Sequence, residues 1–334
     1  MPRLTKDDLL SVITRSISEC GWSILYLESP VTHPFRLQIY KNDESYRLRI
    51  YIWNLTHGGG SARPRSEYRI QITGLPTSYF EPEIGGKTLI LGWWDEVGVF
   101  AGFDYNKHSG MLGSSPSIQI REQYLRNAHI NGFSACDKGN EEIAIAFKPS
   151  FFIEYVRDLE SLHGFGESEY DLGVLETVAE NPYAVNDAVI ESTSWNRQTV
   201  IQTVKKRLRD SSFQDRVLTA YSYRCAMCGV QLDLVQAAHI VPVSHENGTD
   251  RTSNGMALCA LHHYAYDRGL VFVDEDYSIE LNERKIRKLR AISRDEGLEK
   301  FTEALRALIL LPPATSDRPH RDYLIVANSL RLAA

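Results

Sequence analysis

The chain has 334 residues, 43% hydrophobic and 24% charged, with a net charge of −6, the composition of a globular protein of about two domains. No apolar run approaches the roughly eighteen residues of a membrane-spanning helix, and the first ten residues lack the apolar core and cleavage site of a secretory leader, so the expectation is a cytoplasmic protein with no membrane contact. The acidic balance excludes a protein that coats nucleic acid along its whole length, although a local basic face could still hold phosphates.

The spacing of Leu9, Leu10, Ile13 and Ile17 predicts a helix over 5–19 with Thr5 as N-cap. Runs rich in β-branched and aromatic residues then predict strands at 22–27, 35–40, 46–52, 68–73, 88–92 and 98–104, with another at 117–120. Asn42-Asp43, Gly58–Gly60 and Gly85-Gly86 supply turns between them. A helix over 121–131, stopped by Gly132, a strand over 142–147 and a closing helix over 149–162 complete an α+β domain, residues 1–165. Residues 166–194, with Gly, Ser, Asn, Pro and weak periodicity, read as a linker with one short helix. From Trp195 the chain turns helical and basic: Arg197, Lys205, Lys206, Arg207, Arg209, Arg216 and Arg224 face only Asp210 and Asp215 up to Cys228. That run is a solvated helix face or a phosphate-contacting flank. The segment 283–290 is again basic, and helical periodicity continues to 311, where Pro312-Pro313 ends it. Residues 195–311 thus form a second domain, and 312–334 a tail that packs on it or on a second subunit.

Three of the five cysteines, Cys225, Cys228 and Cys259, lie within 35 residues of one another, which suggests a metal site rather than a disulfide framework. Cys225-Ala-Met-Cys228 and Cys259-Ala-Leu-His262 are two pairs at matching spacing, able to close a tetrahedral Cys3His zinc site. With four protein ligands such a site is structural; two buried thiols beside an unrelated histidine are the competing reading.

Between the two pairs runs Ala237-Ala238-His239-Ile240-Val241-Pro242, then Ser253-Asn254-Gly255-Met256-Ala257-Leu258-Cys259, then Leu261-His262-His263-Tyr264-Ala265-Tyr266-Asp267-Arg268-Gly269. This pattern resembles the HNH endonucleases, in the subgroup whose core reads AAHIVP, NG.ALC and HH..FD.G, over residues 209–281. The resemblance implies a zinc-stapled ββα-metal fold around a catalytic divalent cation, Mg²⁺ or Mn²⁺, acting on double-stranded DNA. In it His239 matches the general base, Asn254 the residue that holds the histidine ring or its loop, and His263 a metal ligand on the helix. An imidazole suits the first role because it titrates near neutral pH. Many members carry Asp or His just before the base as a second metal ligand; here that position is Ala238. Asp267, four residues after His263, is the candidate replacement, with a helix-terminal carboxylate bonded to backbone as the alternative.

The expected fold class is therefore α+β: a β-rich N-terminal domain with flanking helices, followed by the nuclease domain. Candidate DNA-contacting cations are Arg63 and Arg65 in the Gly-rich loop after Trp53, Lys205, Lys206 and Arg209 in the basic flank, and Arg268. A long flexible hairpin loop is the competing reading of this segment. Trp93-Trp94 could stack on a flipped base, against the commoner reading of a pair split between core and surface. Reader first and nuclease last resembles the layout of modification-dependent restriction enzymes of the McrA type, an analogy of architecture only. The expectation is a DNA endonuclease of restriction or anti-phage defence. One alternative is an autoinhibited effector nuclease or nickase whose N-terminal domain senses a ligand or partner protein of a defence system. Another is a catalytically silent zinc-binding DNA adaptor. Double-strand cleavage by a one-metal site needs two active sites, which points to a homodimer; a monomeric nickase is the rival.

Overall fold

The computed structural model describes residues 3–31, 33–57, 64 and 66–332. They divide into two compact units, Met1–Leu208 and Arg209–Ala334.

The first unit opens with α1 (Lys6–Glu19), held by a capping box in which Thr5 and Asp8 satisfy each other's backbone N–H groups. There follow β1 (Ser23–Tyr26), β2 (Phe35–Lys41), β3 (Glu44–Asn54), β4 (Thr56–His57), β5 (Glu67–Gln71), β6 (Lys87–Trp94), β7 (Val99–Phe103), α2 (Tyr105–His108), β8 (Ser117–Arg121), α3 (Glu122–Asn131), β9 (Phe133–Asp137), β10 (Ile143–Phe147), α4 (Phe152–Arg157), α5 (Leu159–His163), α6 (Glu169–Glu180), α7 (Asp187–Glu191) and the start of α8 (Trp195–Ala220). Among the described residues seven strands form one sheet in the order β1-β2-β3-β6-β7-β10-β9, and β4-β5-β8 form a second. Among the described residues, β3 and β6 are the one parallel pair of the large sheet.

Strand alternation divides the large sheet between two cores. Leu48, Ile50, Ile52, Leu89, Leu91, Phe100, Ile143 and Ile145 face one, shared with α1, α4 and α6. Tyr51, Trp53, Ile90, Val99, Ala101 and Ala146 face the other, shared with the small sheet and α3. Burial on both faces explains why β7 and β10 read as unbroken apolar runs. Gly102 is needed there: a Cβ would lie 2.1 Å from the Tyr155 hydroxyl.

The structure departs from the sequence reading in three places here. The strand β9 was not expected; its Ser134 and Cys136 dilute the apolar signal, yet both are buried. Residues 166–194, read as a linker, carry α6 and α7, and Leu172, Leu175, Val178 and Ile190 are buried in the first core. Acidic residues and Gly173 masked that face. Trp93 and Trp94 are both buried, one in each core, so neither offers a face to a flipped base.

The second unit takes the rest of α8, then β11 (Val235–His239), β12 (Gly255–Cys259), α9 (Ala260–Asp267), β13 (Val271–Val273), β14 (Ile279–Leu281), α10 (Glu283–Ala291), α11 (Leu298–Glu303) and α12 (Arg321–Leu332). The antiparallel pair β11-β12 and α9 form a ββα unit. The helix expected to reach 311 stops at Ala291. Ser293 and Gly297 take left-handed φ of 52° and 86° there, and α11 ends at Glu303. Residues 306–310 then run extended, exchanging backbone hydrogen bonds with Met227, Ile279, Tyr277 and Ala226. The tail packs on this same unit: Leu324 and Ala327 are buried in its core, and Thr249 and Tyr323 hydroxyls meet at 2.9 Å. No helix among the described residues is long and apolar enough to cross a membrane.

Candidate active site

Two sites share the ββα unit. The first is a cage. Cys225 and Cys228 flank a tight turn in which the Gly229 N–H donates to the Cys225 carbonyl at 2.8 Å, with Gly229 at φ 81°, a conformation costly for other residues. Cys259 ends β12 and caps α9, whose first turn carries His262. The three sulfurs and a His262 ring nitrogen all lie within 4.8 Å of one another. Cys259 Sγ and Cys225 Sγ approach His262 Nδ1 to 3.2 and 3.5 Å, and Cys228 and Cys259 sulfurs are 4.0 Å apart. Zinc with bonds of about 2.3 Å to sulfur spaces tetrahedral ligands by roughly 3.8 Å. Donor set and spacing therefore fit zinc, with no ligand position left for substrate. Burial pushes the Cys228 thiol up to about 12 and raises Cys259. Cys225, despite its burial, is drawn down to about 6 by His262 and nearby backbone N–H groups.

The second site is a cleft of about 660 Å³ lined by His239, His263, Asp267, Asp210, Arg268 and Arg331 among others. His239 ends β11. Ala237 shares its face and also lines the cleft, whereas Ala238 is 1% exposed in the core opposite Met256. A ligand at position 238 would therefore have to leave the core to reach the cleft. His263 and Asp267, one turn apart on α9, bring Nε2 and Oδ2 to 3.4 Å. Asp267 Oδ1 lies 3.9 Å from Arg331 Nη2. An imidazole nitrogen and a carboxylate at this separation are close enough to ligate one divalent cation together.

Asn254 is wholly buried. Its Oδ1 accepts from the Val241 N–H at 2.9 Å, and its Nδ2 donates to the Val241 and Thr249 carbonyls at 2.9 and 2.8 Å. The amide thus holds the two ends of the 241–249 loop, and its bonds go to that loop and not to the His239 ring. Its backbone carbonyl accepts from Ile240, next to His239.

The sequence reading missed several residues around His239. Its Nε2 lies 3.2 Å from Asp250 Oδ1. Asp250 Oδ2 accepts from Arg209 Nε and Nη2 at 2.9 and 2.6 Å. Phe213 lies flat on the imidazole, centroids 3.7 Å apart and planes 5° from parallel. Arg331, 92 residues on, donates to the Ile240 carbonyl at 2.7 Å. Burial lowers the His239 pKa, opposed by Asp250 and by the charge of Asp210, with Arg209 adding to the fall. No local motif signals these partners, because they come from other elements.

The candidate DNA-contacting cations are scattered. Arg63 and Arg65 lie outside the described residues. Lys205 pairs with Asp187 at 3.0 Å, and Arg209 is turned onto Asp250. Elsewhere in the basic run, Arg197 is buried against Asp171 and Glu167, and Arg216 donates to the Asp250 carbonyl. Much of the run is thus engaged within the fold. Lys206 is exposed. Arg268 lines the cleft, its guanidinium over the Tyr264 ring.

Family models match one segment in each unit. Residues 225–274 match the HNH endonuclease family model, which spans both pairs of cage residues, His239, Asn254, His263 and Asp267. Residues 46–156 match the family described as methylase-associated X1. No curated protein matches the chain. Among solved structures, a modification-dependent TagI restriction endonuclease is 13% identical over 84% of this chain and 81% of that one, with a TM-score of 0.32.

Proposed function

We propose that the chain is a metal-dependent DNA endonuclease in which His239 takes a proton from water for attack on a phosphodiester. The observation that carries this reading is the single cleft that gathers His239, His263 and Asp267 within the HNH-matching segment. His263 and Asp267 are the residues that would hold a divalent cation, Mg²⁺ or Mn²⁺, which when bound neutralises charge on the scissile phosphate and the leaving oxygen. His239, lowered by burial, is held toward its neutral form, the form able to accept a proton. Asn254 keeps the loop after His239 in register, and Arg268 at the cleft rim is placed to meet a phosphate. Asp267→Ala should weaken Mn²⁺ binding; unchanged binding and cleavage would remove Asp267 from the ligand set.

A nuclease module behind a domain whose family is described as methylase-associated supports a restriction-type role, with the first unit reading DNA or its modification. The test is cleavage of unmodified, methylated and hydroxymethylated duplex DNA by the zinc-loaded chain with Mg²⁺ or Mn²⁺. The reading predicts metal-dependent cleavage that discriminates among the three. Equal cleavage of all three contradicts the reader role, and cleavage of none contradicts the endonuclease.

A further inference from the structure

Asp250 belongs to no part of the sequence motif, yet the base histidine is built around it. Its side chain is 4% exposed. One oxygen faces His239 Nε2 at 3.2 Å, and the other takes two N–H groups of Arg209 at 2.9 and 2.6 Å. Its backbone carbonyl accepts from Arg216 Nη2 at 2.6 Å. Arg209, Phe213 and Arg216 recur at helical spacing on α8, so one helix face supplies the ion pair, the flat ring and the backbone clamp. Gly255, which pairs with His239 across β11 and β12, makes room for this: a Cβ there would stand 2.4 Å from Val217 Cγ2 and 2.9 Å from Phe213 Cζ. The Asn-Gly of the motif thus has two separate jobs, the asparagine holding the loop and the glycine admitting the helix.

The chemistry of the pair fixes a proton. A carboxylate ion-paired with Arg209 can only accept, so the ring nitrogen facing it must carry hydrogen. Among the described residues His239 Nδ1 has no hydrogen-bond partner, and it is not among the buried unpartnered atoms. It keeps contact with solvent. Phe213, flat against one face, restricts the ring from turning over. We infer that Asp250, braced by Arg209, is a positioning residue that holds His239 as the Nε2–H tautomer, so that Nδ1 is the atom offering a lone pair to water in the cleft. The carboxylate also partly offsets the fall in basicity that burial imposes on the ring, together with Asp210 and against Arg209. The assignment rests on the endonuclease reading for its catalytic meaning, but the tautomer itself does not.

The experiment is ¹⁵N NMR of the histidines in the full zinc-loaded chain without added Mg²⁺ or Mn²⁺, with His239→Gln used to assign the His239 signals. In wild type we expect Nε2 protonated and Nδ1 bare. Asp250→Asn, whose amide can donate as well as accept, should release the tautomer preference. In cleavage assays the same variant should lose kcat, by no more than the about 10²- to 10⁴-fold that a general base supplies, with little change in KM, and the acid limb of its pH profile should move to lower pH, because a charge that raises the His239 pKa is gone. Arg209→Lys should keep the wild-type tautomer. Wild-type Nδ1–H overturns the assignment even if Asp250→Asn fails to fold. So does a folded Asp250→Asn with unchanged tautomer, kcat and pH profile. The tautomer is read without DNA, so absence of cleavage would count against the endonuclease and not against this placement.

Discussion

Replacing Asn254 tests how the loop that follows His239 is held. Its amide makes three hydrogen bonds, one to the Val241 N–H and two to the Val241 and Thr249 carbonyls. Asn254→Ala removes all three and leaves those backbone groups without partners. Each such bond contributes about 0.5–1.5 kcal/mol net, and each buried group left unpaired costs about 1–3 kcal/mol. Val241 is buried and Thr249 half-buried, so water can replace the partner at Thr249 more readily than at Val241. The expected loss is about 3–5 kcal/mol, which in a unit of this size lowers the melting temperature by roughly 10–20 °C. Asn254→Asp should fall between, since it keeps an acceptor for Val241 N–H but turns an oxygen toward two carbonyls. The assay separates the units without cutting the chain. All five tryptophans precede residue 209, so their fluorescence follows the first unit, while zinc release to a coloured chelator follows the second. The prediction is an early zinc-release transition with the tryptophan transition in place. A zinc-release midpoint within about 1 kcal/mol of wild type would refute the reasoning.

Three further outcomes follow from the structure. Cys225→Ser or prolonged chelation should unfold the second unit first, because metal binding and folding of such a cage are one process; unchanged hydrogen exchange around β11 and β12 after zinc loss would contradict this. Gly255→Ala should cost about 1–3 kcal/mol through overpacking against Val217 and Phe213, and should depress cleavage more than stability because Phe213 lies on His239; full activity would show that the ring contact is dispensable. In the first unit, burial favours the neutral form of Glu142, but hydrogen bonds from His108 and Lys138 overcome it and bring the pKa to about 2. Stability from a depressed carboxylate is present above its unfolded value of about 4.3 and is lost as pH falls toward the folded value. Urea midpoints followed by tryptophan fluorescence should therefore separate wild type from Glu142→Gln at pH 6, by roughly half as much at pH 3, and scarcely at all once the pH falls to about 2; a constant gap would contradict the linkage.

What was legible in the sequence was local. The cage residues stand in two short spacings that a single turn can close, and the ββα order fixes His239 at the end of β11, Asn254 just before β12 and His263 within α9. The strands of the first unit were mostly visible because sheet burial leaves apolar runs between turn residues. What was not legible came from distance. Asp250 and Arg209 are 41 residues apart, and Arg331 is 92 residues from His239. The basic run on α8 looked like a phosphate surface, but charge alone does not reveal that Arg197, Arg209 and Arg216 are turned onto partners in the fold. Residues 292–311 kept helical periodicity while left-handed residues at Ser293 and Gly297 broke the helix, and the extended segment after α11 donates backbone hydrogen bonds to Ala226 and Met227 in the Cys225–Cys228 turn.

The most direct test of the nuclease assignment is conversion of supercoiled plasmid by wild type and His239→Ala, each carrying zinc and showing the same circular dichroism, with Mg²⁺ or Mn²⁺ added. Modified plasmids should be included, so that a reader requirement in the first unit does not hide activity. The account predicts nicked or linear product from wild type and a loss of about 10²- to 10⁴-fold in His239→Ala. Equal rates from the two proteins would contradict it.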